Sequence, residues 1–334
     1  MRRMKTIIGA GLAFALMVAA DTHLAVAQPA APGTWTKMAP MSIPRAEIQT
    51  AVLNGKIYVV GGNTFEMKDG KFVAVTDSGL NQVYDPAMNT WRTLAPAPMG
   101  ANHTAITVLD GKIYIAGGFT QNRHMNSVNG VYVYDPATDR WQTLAPLSSP
   151  RGSPAMAAVG GKIHIFGGRV TDAAGGVNIH EIYDPKTNVW TPSSPLPTAR
   201  DHVGIAVVDG KIHIFGGRLN EASANVGTHD VYDPATDTWS VAAPMPTPRS
   251  NGGFAQYRGM LFFIGGECKG AGKAFDENEA FDLKTGRWLS FAPLPVGRHA
   301  PAAASVGDKL YVFGGETGCG GNGPLDDTLA FTLP

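Results

Sequence analysis

The sequence predicts an all-β protein of six four-stranded antiparallel units that close on one another as a ring. Three observations carry this. The string "KIYVVGG" (Lys56 to Gly62) returns as "KIYIAGG", twice as "KIHIFGG", as "LFFIGG" and as "KLYVFGG", its Gly-Gly pairs ending at 62, 118, 168, 217, 266 and 315. The steps are 56, 50, 49, 49 and 49, and the six tryptophans (Trp35, Trp91, Trp141, Trp190, Trp239 and Trp288) keep the same steps. A shared period of this length marks repeated supersecondary units. Third, no long stretch carries apolar residues at i, i+3, i+4 and i+7, whereas 41 Gly and 24 Pro supply many tight turns.

Each unit reads as four short strands. The first ends at a two-residue turn such as Asn54-Gly55, Asp110-Gly111 or Asp209-Gly210, where both residues need positive φ. The second is the "KIYVVGG" strand. The third ends in "VYDP" (Tyr84, Tyr134, Tyr183, Tyr232), with Phe281 and Phe331 as later equivalents, and Asp-Pro then starts a turn. The fourth begins at the Trp. A Gly-Gly pair and a Trp in each unit of this period resemble the Kelch repeat, and the resemblance covers nearly the whole chain after its first residues. It implies a β-propeller in which each unit is one blade. No single blade buries both faces, so blades stack radially around an axis. The last unit lacks a fourth strand, while "TWTKMAP" (Thr34 to Pro40) is a fourth strand without a first three. The N-terminal strand is therefore expected to complete the C-terminal blade, giving six blades over residues 35–334 and no free edge. In the first blade the six extra residues fall in "TFEMKDGKFVAV" (Thr64 to Val75), which reads either as a short hairpin turning at Asp69-Gly70 and leaning over the mouth as a partial lid or as a mobile surface loop.

The start of the chain reads as an address. Basic "MRRMK" precedes an apolar run from Thr6 to Ala20, and "AVAQ" offers a small-x-small cleavage site before Gln28. Residues 1–27 read as a Sec-type signal peptide, with cleavage after Ala20 as the alternative, and residues 28–34 as a short linker. This predicts a periplasmic or secreted protein with no membrane span after cleavage. Of 27 basic and 27 acidic residues, the segment removes Arg2, Arg3, Lys5 and Asp21, leaving 24 against 26. Such a balance excludes nucleic acid as an expected partner. An oxidising compartment permits a disulfide between Cys268 and Cys319, which follow Gly-Gly in the same loop of neighbouring blades.

Function is sought where the copies differ. Sixteen residues before the first Gly of each pair stand Arg45, Ala101, Arg151, Arg200, Arg249 and Arg298; directly after the pair stand Asn63, Phe119, Arg169, Arg218, Glu267 and Glu316. Strands one and two are antiparallel, so both sets share one mouth of the ring. The repeated arginines have a structural reading, bonding to loop carbonyls of the next blade, and a functional one, a well for carboxylate or phosphate. Arg169 and Arg218 lean to function, because other blades differ there and Kelch adaptor proteins, which this chain resembles, grip acidic peptide segments with arginines at both positions. Glu267 and Glu316 are expected on the opposite side of the mouth.

His103, His202 and His299 also point to the mouth, on the second, fourth and sixth blades, spacing that predicts no shared metal site. His164, His180, His213 and His229 recur at repeat positions and read as scaffold. No cofactor is implied: the crosslinked Cys-Tyr pair of the copper-radical Kelch oxidases has no counterpart, and no Ser-His-Asp or Cys-His nucleophile pattern is present. The sequence is thus read as an exported, monomeric binding protein for an anionic small molecule or acidic protein segment. Its ligand residues are Arg45, Arg151, Arg169, Arg200, Arg218, Arg249, Arg298, His103, His202, His299, Glu267 and Glu316. The alternative, from resemblance to bacterial sialic acid epimerases, is an epimerase or mutarotase acting on an acidic sugar such as N-acetylneuraminate, whose catalytic residues the sequence does not place. A structural role in the cell envelope is the third reading.

Overall fold

Two-residue turns that accept only left-handed residues dictate tight hairpins, and the computed structural model shows them. Asn54 and Gly55 have φ of 52° and 71°, and Asp209 and Gly210 have 48° and 76°. The structure describes residues 31–69, 71–121, 124–171, 175–220, 224–270, 272–319 and 323–334; the segment read as a signal peptide lies outside them. The described residues form strands and no helix, so no helix there is long and apolar enough to cross a membrane.

Six four-stranded antiparallel sheets follow one another along the chain. The first comprises Gln49–Leu53, Lys56–Val60, Asn81–Asp85 and Thr90–Leu94; the second Ala105–Leu109, Lys112–Ala116, Val131–Asp135 and Arg140–Thr143. The third comprises Ala155–Val159, Lys162–Phe166, His180–Asp184 and Val189–Pro192; the fourth Gly204–Val208, Lys211–Phe215, His229–Asp233 and Thr238–Val241. The fifth, Gly253–Tyr257, Met260–Gly270, Lys273–Asp282 and Arg287–Phe291, carries a lengthened central hairpin. The sixth takes Ala302–Val306, Lys309–Phe313 and Thr328–Thr332 from the end of the chain and Thr34–Met38 from its beginning, paired Trp35 to Phe331. A seventh sheet of three strands, Arg45–Ala46, Asn63–Lys68 and Lys71–Asp77, accommodates the extra residues of the first repeat as the expected hairpin, with Asp69 left-handed at its turn.

Apolar residues of facing sheets fill the wedges between them. Ile57, Val59 and Tyr84 of the first sheet pack on Ala302, Ala304, Tyr311, Phe313 and Ala330 of the sixth. Comparable clusters join the first to the second, the second to the third, and so on to the sixth. Each tryptophan indole donates to a carbonyl of the preceding sheet, as Trp91 Nε1 does to Ala39 (2.9 Å) and Trp35 Nε1 to Ala292 (3.0 Å).

The Gly-Gly pairs serve the same seams. The second glycine of each pair donates its N–H to the next sheet: Gly62 to Ala101 (2.8 Å), Gly118 to Arg151 (3.0 Å), Gly168 to Arg200 (3.2 Å), Gly217 to Arg249 (3.0 Å), Gly266 to Arg298 (2.9 Å) and Gly315 to Arg45 (2.8 Å). That approach leaves no room for a side chain on the first glycine. A Cβ on Gly117 would stand 2.4 Å from Arg151 O, and one on Gly314 2.3 Å from Arg45 O. Both glycines also have positive φ, so the sequence repeats the pair because no other residue fits twice over.

Candidate functional site

The repeated arginines come first, because the structure corrects their expected role. Arg45, Arg151, Arg200, Arg249 and Arg298 precede the innermost strands by four residues, and their side chains are fully buried. Their partners lie within their own sheet, not the next. Arg200 meets Asp230 (2.7 Å) and the carbonyls of Gly216 and Ile214; Arg249 meets Glu279 and the carbonyls of Phe263 and Gly265. Arg151 meets Glu181 (2.5 Å) and Arg298 meets Asp327 (2.5 Å). Arg45 has Gln82 in place of a carboxylate (3.3 Å), and burial pushes its pKa down to about 9. Buried charges persist only when paired and hydrogen-bonded; four of these have a carboxylate, and Arg45 has the carbonyls of Gly61 (2.6 Å) and Leu80 (2.9 Å) beside Gln82. They are struts between the first and third strands, with no surface for a ligand.

The residues that differ between copies meet above the axis. Two places after each strut position stand Glu47, His103, Ser153, His202, Asn251 and Ala300, every one with φ between 53° and 57°. Six non-glycine residues in the left-handed region imply a backbone held there by its surroundings. Here the backbones bond to each other across sheets: Glu47 N–H to Ala300 O (3.1 Å), His103 to Glu47 (3.2 Å), Ser153 to His103 (2.8 Å), Asn251 to His202 (3.1 Å) and Ala300 to Asn251 (2.7 Å). Below this collar lies a cavity of about 40 Å³ lined by Glu47, Ser153, His202, Asn251 and the apolar starts of the inner strands.

Side chains on the collar form one polar network. His103 is held between Asn102 Oδ1 on its Nδ1 and Glu47 Oε2 on its Nε2 (2.8 Å), and Asn251 Nδ2 donates to the other Glu47 oxygen (3.1 Å). Burial alone would raise Glu47, but the charge and hydrogen bond of His103, helped by His299 and His124, hold its pKa down to about 2. His202 Nδ1 contacts Asp201, and burial followed by Arg218 keeps this histidine far below the ordinary range. Arg218 is committed on three sides: Nε to Asp201 (2.9 Å), Nη1 to Glu267 (2.6 Å), and Nη2 to the Nε2 atoms of His124 (2.9 Å) and His202 (3.2 Å).

Several expectations change. Arg218 and Glu267 were expected on opposite sides of the mouth; they lie on adjacent sheets and form a buried ion pair. His103 and His202 were expected too far apart to share a site, yet their rings lie 4.8 Å apart at the centroids, with His124 4.9 Å from His103 and 5.3 Å from His202. The segments that lead into the second and fourth sheets therefore meet at these rings. His299 stands in a different layer, bridged to Glu316 through their backbones, with Nε2 3.9 Å from Glu316 Oε1. Arg169 is half-buried, and its guanidinium Nη1 donates to Asn220 O (2.7 Å). Cys268 and Cys319 are joined by a disulfide with Cα atoms 4.8 Å apart, tying the lengthened hairpin of the fifth sheet to the loop of the sixth. Sequence reasoning missed His124; its signal was a position in the second repeat's post-glycine loop at which no other copy has a histidine.

Comparison with known proteins places the chain. A family model described as the KLHDC2/KLHL20/DRC7 Kelch-repeats domain matches residues 23–196 and 102–315. Kelch-like ECH-associated protein 1B of Danio rerio is 34% identical over 96 residues, 29% of this chain and 16% of that protein. Kelch-like protein terF of Aspergillus terreus is 40% identical over 88 residues, 26% and 18% of the two chains, and human Kelch-like protein 25 is 38% identical over 95 residues, 28% and 16%. The match thus spans less than a fifth of each relative's length. The solved structure of YjhT superimposes with a TM-score of 0.71 at 16% identity, covering 87% of this chain and 95% of the other. That likeness establishes a shared fold, and the family match over most of the length establishes kinship: the chain belongs to the Kelch-repeat family.

Proposed function

We propose that the protein is an exported binding module, a six-bladed propeller that takes an anionic ligand at its mouth. The six blades are supported by six four-stranded sheets whose wedges are all filled, including the one between sixth and first, with Thr34–Met38 as the joining strand. The ligand is a carboxylate-bearing small molecule or an acidic protein segment, and the working unit is the monomer. One observation carries the anionic reading. Arg169 is the half-buried arginine of the mouth set, whereas Arg218 and the five struts are buried against carboxylates, carbonyls or Gln82. Its planar fork retains donors for a ligand carboxylate beside the bond to Asn220 O. Calorimetry with a short poly-glutamate peptide and with N-acetylneuraminate tests this. A charge-assisted contact contributes on the order of 1.5–3 kcal/mol, so Arg169→Ala is expected to weaken binding more than tenfold. Equal binding by both forms would remove Arg169 from the site.

A second reading, an isomerase acting on an acidic sugar, is favoured by the buried Glu47–His103 pair, an acid/base couple at the same mouth. The same samples separate the two: proton NMR of N-acetylneuraminate would show accelerated anomer exchange for an isomerase and the uncatalysed rate for a binding module.

A further inference from the structure

We propose that His103, His124 and His202 form a binding site for a divalent transition-metal ion of the imidazole-preferring class, such as Zn²⁺ or Co²⁺. One ligand nitrogen from each of the three rings lies within 4.8 Å of the other two. His124 Nε2 and His202 Nε2 are 3.3 Å apart. A tetrahedral ion with metal–nitrogen bonds of about 2.0–2.1 Å spaces its ligand nitrogens about 3.3–3.4 Å apart, so this edge already has the required length. Rotation of His124, the half-exposed ring, shortens the remaining edges.

The surroundings of the rings point the same way. His202 sets Nδ1 against Asp201, and His103 sets Nδ1 against Asn102 Oδ1. For His202 a backed Nδ1 fixes the tautomer and turns the Nε2 lone pair inward, the arrangement that orients metal-binding histidines, while His103 Nε2, which donates to Glu47, gives up that proton when an ion binds. An N–H₂ group of Arg218 faces both His124 and His202 Nε2, so both nitrogens already serve as acceptors toward a cation. The ion takes over that role, while Arg218 stays anchored through Nε to Asp201 and Nη1 to Glu267. Glu47, its Oε2 2.8 Å from His103 Nε2, is placed as a fourth ligand. The three carboxylates of Glu47, Asp201 and Glu267 outnumber the guanidiniums of Arg218 and the more distant Arg169, so the surroundings of the rings favour a cation. Two ligands sit on the rigid left-handed collar and the third on a loop, so the site is largely built before an ion enters.

The purified untagged chain, treated with a chelator and dialysed, would be titrated with ZnCl₂ by calorimetry and with CoCl₂ by visible absorption. The expected result is one ion per chain, with the intense absorption bands of four-coordinate Co²⁺. His124→Ala should weaken Zn²⁺ binding at least tenfold with an unchanged melting temperature, and His103→Gln added to it should abolish binding. Stoichiometry well below one ion per chain, or Zn²⁺ affinity unchanged by His124→Ala, overturns the site. His124→Ala decides the matter should the double variant not fold, since its ring is half-exposed.

Discussion

Two sets of equivalent positions stand two residues apart along the chain and behave in opposite ways. The struts Arg151, Arg200, Arg249 and Arg298 recur, and each has a carboxylate: Glu181, Asp230 and Glu279 on the third strand of its own sheet, and Asp327 immediately before that strand. Two residues further along, Glu47, His103, Ser153, His202, Asn251 and Ala300 share a backbone conformation but no side-chain chemistry. The second repeat makes the point sharply. Where the strut is missing, at Ala101, the third strand has Tyr132 at the place of Glu181 and Asp230. Strut and partner are lost together, as a scaffold pair would be. A charge repeated with its partner holds each copy together; the variable side chains stand at positions where the copies share backbone geometry.

The largest effect should come from breaking a strut. Arg249→Met leaves Glu279 buried without its partner, a change that costs about 3–5 kcal/mol. In a domain of this size that lowers the melting temperature on the order of 10 °C. Adding Glu279→Leu should recover part of the loss, because an apolar pair replaces a broken ionic one.

A smaller effect concerns acid. His164 and His180 occupy repeat positions in the third sheet and bond to each other, His164 Nδ1 to His180 Nε2 at 3.1 Å, with His180 Nδ1 donating to Ser194 O at 2.9 Å. This chain requires His180 to accept at Nε2 and so to be neutral. Burial pushes both down to about 4, with each other's charge adding to it for His164. Below the ordinary histidine pKa of 6.5 the unfolded chain binds protons that the folded one refuses, so stability falls as pH drops from about 6.5 towards 4. Each histidine contributes on the order of 3 kcal/mol to that fall. His164→Tyr with His180→Asn gives the third sheet the residues that the first carries there, Tyr58 and Asn81, and should flatten the melting temperature between pH 7 and 5.

The fold was legible because its signals are local and repeated six times. Gly-Gly, Asp-Pro and Trp each fix a turn or a seam, and the strand Thr34–Met38 was predictable by counting. The mouth was less legible. Spacing put His103 and His202 at equivalent ends of their sheets, but repeat number says nothing of how closely those ends approach, so their meeting could not be foreseen. The ion pair of Arg218 with Glu267 was missed because adjacency of the fourth and fifth sheets was read as opposition. Of the two readings of the struts, bracing is the one the contacts support, but within their own sheet and not the next, because an arginine's side chain can fold down as readily as it can reach across. The pairing of Ala101 with Tyr132 was a readable hint of which it does.

The smallest effect sharpens the strut side of the comparison. Arg45 faces the amide of Gln82 at 3.3 Å, and its pKa is pushed down to about 9 by burial. Gln82→Glu supplies the missing carboxylate. Exchanging a neutral hydrogen bond for a charge-assisted one should stabilise the fold by about 1 kcal/mol, read as a rise of ~2–4 °C in melting temperature.

Two arginines measured side by side test the central claim most directly. Arg169→Ala and Arg249→Met would each be melted and titrated with the same poly-glutamate peptide. If the struts are scaffold and the mouth is the site, Arg169→Ala melts within about 2 °C of the parent while its affinity falls more than tenfold, and Arg249→Met shows the large loss of melting temperature. Equal losses of stability from both substitutions, or a folded Arg249→Met that keeps its melting temperature but not its affinity, would contradict the division between strut and site.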